Sequence, residues 1–148
     1  MAMMAGSAIG SGDGNVADGG NAGGYPLRRW QRECLRAWVR AGRRGIVDVA
    51  TGAGKTALAL AAVKEAEART EGGQMRVRVI VPKVFLARQW LTDIMAQLGV
   101  RRGEIGICSG ELREPDRRVT IYVLNTARTA VSKHILDDLR SGRSVFLI

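Results

Sequence analysis

The chain has 148 residues, of which 46% are apolar and 25% charged, the balance of an ordinary soluble domain. Basic residues outnumber acidic ones 23 to 14, and most are arginine, so we expect a polyanionic partner, with nucleic acid first. No stretch reaches the ~20 apolar residues of a membrane span, the start does not resemble a signal peptide, and Cys34 and Cys108 fit no metal spacing. These features predict a cytoplasmic protein with reduced thiols and no membrane partner.

The first 24 residues differ in composition from the rest of the chain. They are rich in glycine and contain no lysine or arginine. Such a segment buries too little apolar surface to offset its ordering entropy. We therefore predict a disordered Gly/Ala-rich tail over 1–24 and a folded domain over 25–148.

The folded part begins with an apolar helical stripe that follows Pro26 and includes Trp30, Cys34 and Trp38. Periodicity and turn residues then predict, in chain order, a strand over 46–50, a glycine turn over 51–54, a helix over 56–69, a strand over 77–81, a helix over 84–98, strands over 105–108 and 119–124, a helix over 126–140 in one or two pieces, and a strand over 144–148. Alternating strands and helices with short links indicate a mainly parallel sheet covered on both faces. Because the last strand has no terminating turn behind it, we expect the chain to be part of a longer protein.

A glycine-bearing loop stands between the first predicted strand and the following helix. Its residues are Ala50, Thr51, Gly52, Ala53, Gly54, Lys55 and Thr56. Glycines let successive backbone N–H groups cradle oxyanions, and the helix start adds free N–H groups and the positive end of its dipole. Lys55 is expected to reach the β and γ phosphates, and the Thr56 hydroxyl to ligate Mg²⁺. Val49 stands where the strict pattern has glycine, and Gly52 supplies the flexibility instead.

Other segments fall into register with this loop, and together they resemble a known family. They are 27–33, which contains Gln31, 81–90, which contains Pro82 and Lys83, 107–110 and 119–126. The set is similar to the first motor domain of superfamily-two DEAD/DEAH-box helicases, nearest the branch of Rad25-like DNA-repair helicases and type III restriction subunits. The resemblance implies a RecA-like P-loop NTPase fold, a three-layer sandwich with a mainly parallel sheet, and an ATP-hydrolysing DNA helicase or translocase that uses ATP and Mg²⁺.

The resemblance also implies roles for individual residues. Gln31 matches the glutamine that reads adenine, and either Arg28 or Tyr25 would pack against the base. The nucleic-acid backbone, of DNA rather than RNA by analogy, would contact residues at the ends of the strands. These are Pro82, Lys83, Arg88, Ser109, Gly110, Asn125 and Thr126. Trp90 is expected to pack in the core.

The family's acidic Mg²⁺-binding sequence would follow 144–148, and its second motor domain supplies an arginine finger. We therefore expect these 148 residues to bind ATP weakly and not to hydrolyse it appreciably. Two alternatives stay open from the residues themselves: another P-loop NTPase, such as a switch or a kinase, and a non-catalytic nucleic-acid-binding module.

Overall fold

The structure is a computed structural model that describes residues 1–6, 26–70, 75–110 and 112–148. Within these ranges the chain forms six strands and four α-helices. They are β1 Ala2–Gly6, α1 Arg29–Arg40, β2 Arg44–Ile46, α2 Lys55–Glu67, β3 Met75–Val81, α3 Val84–Leu98, β4 Ile105–Cys108, β5 Val119–Val123, α4 Leu124–Arg140 and β6 Ser144–Leu147, with a 3₁₀ turn at Arg102–Glu104.

The six strands form one sheet in the order β2-β1-β6-β3-β5-β4. The four strands from β6 to β4 are parallel, and β1 is antiparallel to both of its neighbours, so β2 points the same way as the parallel set. The carboxyl ends of β2 to β6 therefore lie along one side of the sheet, here named the carboxyl edge. In open α/β sheets this is the side where ligands bind.

Side chains of β3 alternate between two apolar layers. Val77 and Val79 join the main core, which includes residues of α1, α2 and α3. Ile80 packs instead with a smaller cluster that includes Tyr122 and Ala127, on the opposite face, beneath α4. Helices thus cover both faces of the sheet, and the predicted three-layer α/β fold is confirmed.

Several predicted boundaries hold and others shift for a local reason. Helix α3 covers 84–98 as predicted, and Gly99 ends it with a φ of 66°. The strand before the glycine loop lies at 44–46 and not at 46–50, because these three residues pair with Ala2, Met3 and Met4 of β1. One residue further on, Val47 exchanges two backbone hydrogen bonds with Met1. The last long helix is a single piece that begins two residues before its predicted start.

The prediction of a disordered segment over 1–24 is wrong for residues 2–6. These residues form β1, which pairs with β2 on one side and with β6 on the other, and Met3 is fully buried. Amino-acid composition reflects side chains only, whereas an interior strand is held largely by its backbone N–H and C=O groups. The rest of the predicted tail, and Tyr25, lie outside the described residues.

Candidate nucleotide and nucleic-acid site

The glycine loop connects β2 to α2 at the carboxyl edge. Gly52 and Gly54 have φ values of 82° and 95°, a left-handed conformation that side chains strongly disfavour. Gly54 is the residue before α2, which begins at Lys55, one residue earlier than predicted. The first N–H groups of this helix have no partner within the helix and are available to an anion.

Lys55 folds back over the loop that precedes it. Its ammonium group donates to the carbonyl oxygens of Val49 at 2.7 Å and Ala50 at 3.0 Å. An ammonium group only donates hydrogen bonds, so phosphate oxygens can replace these carbonyl oxygens as its acceptors. Thr56 follows in the first turn of α2 and is half-buried.

Gln31 joins α1 to the glycine loop. Its side-chain oxygen accepts from the Arg28 backbone N–H at 2.7 Å, and its amide nitrogen donates to the Gly54 carbonyl at 2.9 Å. Only 3% of the residue is exposed, so Gln31 is not a solvent-facing polar side chain of α1. Arg28, by contrast, is exposed directly before α1.

This contact requires glycine at position 54. A Cβ atom added there would lie 2.7 Å from the Gln31 amide nitrogen, which is far inside van der Waals contact. At Gly52 the same added atom would meet nothing within 4 Å. The two glycines therefore have different requirements: Gly52 needs only a backbone conformation, whereas Gly54 also needs space.

The residues expected to contact nucleic acid lie at the ends of neighbouring strands. Val81 and Val123 are paired in register on β3 and β5, and the chain leaves each of them directly for a helix start. Exposed Pro82 and Lys83 precede α3, while exposed Asn125 and half-buried Thr126 lie in the first turn of α4. Exposed Arg88 lies further along α3, and Trp90 packs against the core as expected. The structure thus brings Pro82, Lys83, Asn125 and Thr126 to the same edge as the glycine loop.

Ser109 and Gly110 lie at the tip of a hairpin that the sequence did not predict. After β4 the chain turns back, so that Cys108 pairs with Arg113 and the Glu114 N–H donates to the Ile107 carbonyl. The Ser109 side chain accepts from the Leu112 N–H at 3.3 Å, so it already serves the turn itself.

Gly106 allows this return. A Cβ atom at that position would lie 2.0 Å from the Glu114 carbonyl oxygen. A lone glycine in a predicted strand is the signal that could have indicated so close a backbone approach.

The structure also shows exposed apolar side chains that the sequence analysis did not single out. Val84, Phe85 and Leu124 are exposed in the first turns of α3 and α4, at the carboxyl edge. Leu124 was expected at the end of the strand over 119–124, whereas in the structure it is the first residue of α4.

The described residues contain neither a metal-binding cluster nor a membrane-spanning helix, and their cysteines are free. No group of three or more His, Cys, Asp or Glu side chains is arranged to hold a metal ion in the part of the chain that the structure describes. None of the helices in the described ranges has the length and apolar character needed to span a bilayer. Both cysteines are free thiols, and burial raises the pKa of the Cys108 thiol, which keeps it protonated.

Comparison with known proteins adds a family and several relatives. The family described as "Type III restriction enzyme, res subunit" matches residues 24–148. The chain is 37% identical over 108 residues to the DNA 3'-5' helicase XPB of Mycobacterium tuberculosis, an alignment that covers 72% of this chain and 18% of that protein. It is 32% identical over 120 residues to the DNA 3'-5' helicase XPB of Kineococcus radiotolerans, covering 79% of this chain and 20% of that protein.

A third relative is archaeal, and one solved structure has a similar fold. The DNA 3'-5' translocase XPB2 of Sulfurisphaera tokodaii is 36% identical over 103 residues, covering 70% of this chain and 21% of that protein. The crystal structure of the UvsW helicase from bacteriophage T4 superposes with a TM-score of 0.56 at 16% identity, covering 83% of this chain and 51% of that one. The chain thus spans about a fifth of the length of the curated relatives it matches.

Proposed function

Because the chain belongs to the type III restriction enzyme res subunit family, we propose that residues 25–148 form part of the first motor domain of an ATP-dependent DNA helicase or translocase. Its relatives are named as DNA 3'-5' helicases and a DNA 3'-5' translocase, and the fold resembles that of a phage helicase. The activity belongs to the whole protein, of which this chain would supply one side of the ATP site and one set of DNA contacts.

The position of Lys55 carries the nucleotide part of the proposal. Its ammonium group lies against the glycine loop at the start of α2, where a triphosphate would meet free helical N–H groups. On binding, Lys55 would release the Val49 and Ala50 carbonyls and hold phosphate oxygens in their place. The Thr56 hydroxyl suits Mg²⁺, which prefers oxygen ligands and would neutralise phosphate charge when bound with ATP.

Gln31 would set the selectivity for adenine in this proposal. A carboxamide can donate to adenine N7 and accept from N6 at once, provided that both of its ends are free. In the structure both ends are bonded, to Arg28 and to Gly54. Reading the base therefore requires Gln31 to exchange at least one of these bonds, with Arg28 as the neighbouring side chain able to cover the base.

The DNA contacts would lie along the carboxyl edge. Lys83 and Arg88 supply positive charge, and the helix starts near Asn125 and Thr126 and the hairpin tip at Ser109 and Gly110 supply polar groups. Such groups hold phosphates and carry little sequence information. We therefore expect low sequence preference and strong salt dependence, with log K falling by roughly 0.7 per single-strand phosphate neutralised.

We further propose that these 148 residues bind ATP without appreciable turnover. The residues around the glycine loop supply a lysine and a threonine hydroxyl, and no acidic metal cluster is present in the described residues. In related phosphoryl-transfer enzymes an arginine finger alone contributes roughly 10³–10⁵ in rate. Steady-state phosphate release, measured beside a full-length relative, would contradict this expectation if the two rates were comparable.

Nucleotide binding tests the proposed function directly. We expect Lys55→Ala to weaken binding of a fluorescent ATP analogue by about 10–100-fold, because hydrogen bonds to charged groups contribute about 1.5–3 kcal/mol. The control is Lys133→Ala, which removes the same charge from an exposed position on α4. Equal affinities of the Lys55→Ala variant and the parent chain would refute the nucleotide site and with it the motor function.

DNA binding separates this proposal from another P-loop NTPase. We expect Lys83→Gln to weaken binding of an unstructured single-stranded oligonucleotide and to reduce its salt dependence by about 0.7 in the slope of log K against log salt. If the protein were a kinase or a switch, Lys83→Gln would not change single-strand binding. Binding that depends on Lys83 but ignores both ATP and Lys55 would instead indicate a non-catalytic nucleic-acid-binding module.

A further inference from the structure

Helix α1 presents a row of arginines to solvent that the proposed ATP and DNA contacts do not use. Arg29, Arg32, Arg36 and Arg40 are all exposed, and they recur at steps of three and four residues along one face. We name these four residues the arginine stripe. Glu33 is the one acidic residue in the helix.

The opposite face of α1 is packed against the rest of the molecule. Trp38 and Val39 are buried in the main core, and Trp30, Cys34 and Leu35 pack against it. The Trp38 ring also contacts Phe146 of β6, with centroids 5.6 Å apart. Because the helix is held by this apolar face, the arginine stripe is a fixed outward row whose backbone positions are set before any ligand arrives.

The arginines of the stripe are only partly neutralised within the protein. Arg29 pairs with Glu33 at 2.8 Å, and Arg32 donates to the Leu27 carbonyl. Arg36 and Arg40 have no hydrogen-bond or ion-pair partner among the residues that the structure describes. An exposed pair such as Arg29 with Glu33 contributes little and is readily exchanged.

The other helices on this face of the sheet do not share this charge. Helix α2 contains two lysines and two glutamates, and α3 contains one arginine and one aspartate. Only α1 has four cations against a single anion. A general excess of arginine in the chain would spread over all exposed helix faces, so its concentration on one face indicates a specific partner.

The spacing and the residue type fit a phosphate backbone. Four residues of α-helix rise about 6 Å, so the stripe is a straight row of guanidinium groups about 16 Å long. Arginine binds phosphate oxygens with two parallel N–H donors, which lysine cannot do. A straight, rigid row matches a stiff duplex, whose persistence length is about 150 base pairs, better than a flexible single strand.

We infer that the arginine stripe is a second DNA-binding surface, separate from the carboxyl-edge contacts, which takes the phosphate backbone of double-stranded DNA. The inference rests on the proposed DNA-directed function. Helix α1 begins beside the glycine loop at the carboxyl edge, where Gln31 contacts Gly54. It runs to the opposite edge of the sheet, where the chain enters β2. The stripe therefore leads away from the carboxyl edge, so a duplex bound there would not compete for Lys83 or Asn125.

The salt dependence of duplex binding tests this inference. We expect Arg36→Gln/Arg40→Gln to lower the slope of log K against log salt by about 1.8 for a labelled duplex of about 20 base pairs, because each phosphate contact contributes about 0.9. The charge-preserving variant Arg36→Lys/Arg40→Lys should keep the slope. The matched control, Lys133→Gln/Arg140→Gln, removes two charges from the exposed surface of α4, on the other face of the sheet, and should change the slope little.

Each alternative result overturns the inference. If the α4 pair lowers the slope as much as the stripe pair, only the total charge matters. If the stripe pair leaves duplex binding unchanged, the surface does not bind DNA, and the proposed function still stands provided that Lys83→Gln weakens single-strand binding. If the stripe pair weakens binding to polyglutamate as much as to duplex, the surface is a site for acidic proteins. Thermal melting of each variant establishes that it is folded.

Discussion

The two left-handed glycines of the glycine loop offer a test at the scale of single residues. Gly52→Ala should cost about 1–3 kcal/mol of unfolding free energy, because alanine resists a φ of 82°. Gly54→Ala should cost about 1 kcal/mol more, because its Cβ would also displace the Gln31 amide from the Gly54 carbonyl. Urea unfolding followed by tryptophan fluorescence measures both values.

The variant Gln31→Ala provides a control for the two glycine substitutions. In the background of Gln31→Ala the extra cost at Gly54 should disappear, so that both glycine substitutions cost the same. If the two substitutions are already equal in the parent chain, the close contact between α1 and the loop is not contributing to stability.

His134 couples stability to pH through one side chain. Its Nδ1 atom lies 2.9 Å from the Tyr122 hydroxyl. Burial lowers the pKa of His134, and the positive charge of Arg78 lowers it further. Burial also raises the pKa of Tyr122 to about 12, so its hydroxyl stays protonated and can donate to the neutral imidazole.

The free energy of unfolding should therefore decrease as the pH falls from about 7 to about 5. An unfolded histidine takes up a proton near pH 6.5, whereas the folded one takes it up at lower pH, so acid favours the unfolded chain. His134 is the only histidine of the chain, and His134→Gln should remove this part of the pH dependence. A stability difference between the two proteins that stays constant over this range would contradict the shifted pKa of His134.

At the scale of elements, α4 is attached to the sheet by a buried ion pair. Arg78, in the middle of β3, is 1% exposed and donates through Nε to Asp138 of α4 at 3.0 Å. Its Nη2 also donates to Asp138, and its Nη1 donates to the carbonyls of Pro115 and Arg117 and to the Thr120 hydroxyl oxygen. One guanidinium group thus links four pieces of the chain: β3, the segment before β5, β5 itself, and α4.

Asp138→Asn should destabilise the protein by about 3–5 kcal/mol, because it leaves the Arg78 charge buried without its counter-ion. The neighbouring change Asp137→Asn removes an exposed carboxylate that is 3.8 Å from Arg140, and should cost less than about 1 kcal/mol. Denaturant midpoints of the two variants measure this contrast. Similar midpoints would mean that water compensates for the lost charge, because Arg143, 3.4 Å from Asp138, is itself a cation and cannot replace the carboxylate.

At the scale of the whole molecule, β1 connects the glycine loop to the parallel sheet. It is the only strand that pairs with β2 among the described residues, and its other neighbour is β6. Met3 is fully buried, and its carbonyl accepts from the Trp38 indole at 3.4 Å. The first residues of the chain therefore help to hold α1, β2 and the loop against the rest of the fold.

Met3→Asp should destabilise this connection by about 3 kcal/mol or more, because it places a carboxylate in the core. Met95→Asp, at a position on α3 that is 39% exposed, serves as the matched control. Amide hydrogen exchange should speed up over 44–54 more than over β4 and β5 in the Met3 variant. Uniform acceleration over the whole sheet would show that β1 is part of one cooperative unit and not a separate connection.

Much of the organisation follows from local patterns in the chain. The bounds of α3 follow from its apolar period and from Gly99, and the glycine loop follows from its residues and its place between a strand and a helix. Strands that alternate with helices also imply a mainly parallel sheet. The resemblance to helicases located Gln31, which no periodicity would single out from the other polar residues of α1.

Contacts between distant parts of the chain decided the rest. No local signal shows that residues 2–6 complete a sheet with residues 44–46 and 145–147, because strand pairing depends on backbone groups that every sequence possesses. Likewise, Arg78 in a strand does not reveal Asp138 sixty residues later, and Gly54 does not reveal Gln31. The sequence by itself determined where most of the helices and strands lie and which loop places glycines and a lysine at a helix start, since those depend on neighbours in the chain. Only the tertiary structure decided which strands pair, which charges are buried together and which helix face remains for a partner, since those depend on packing in space.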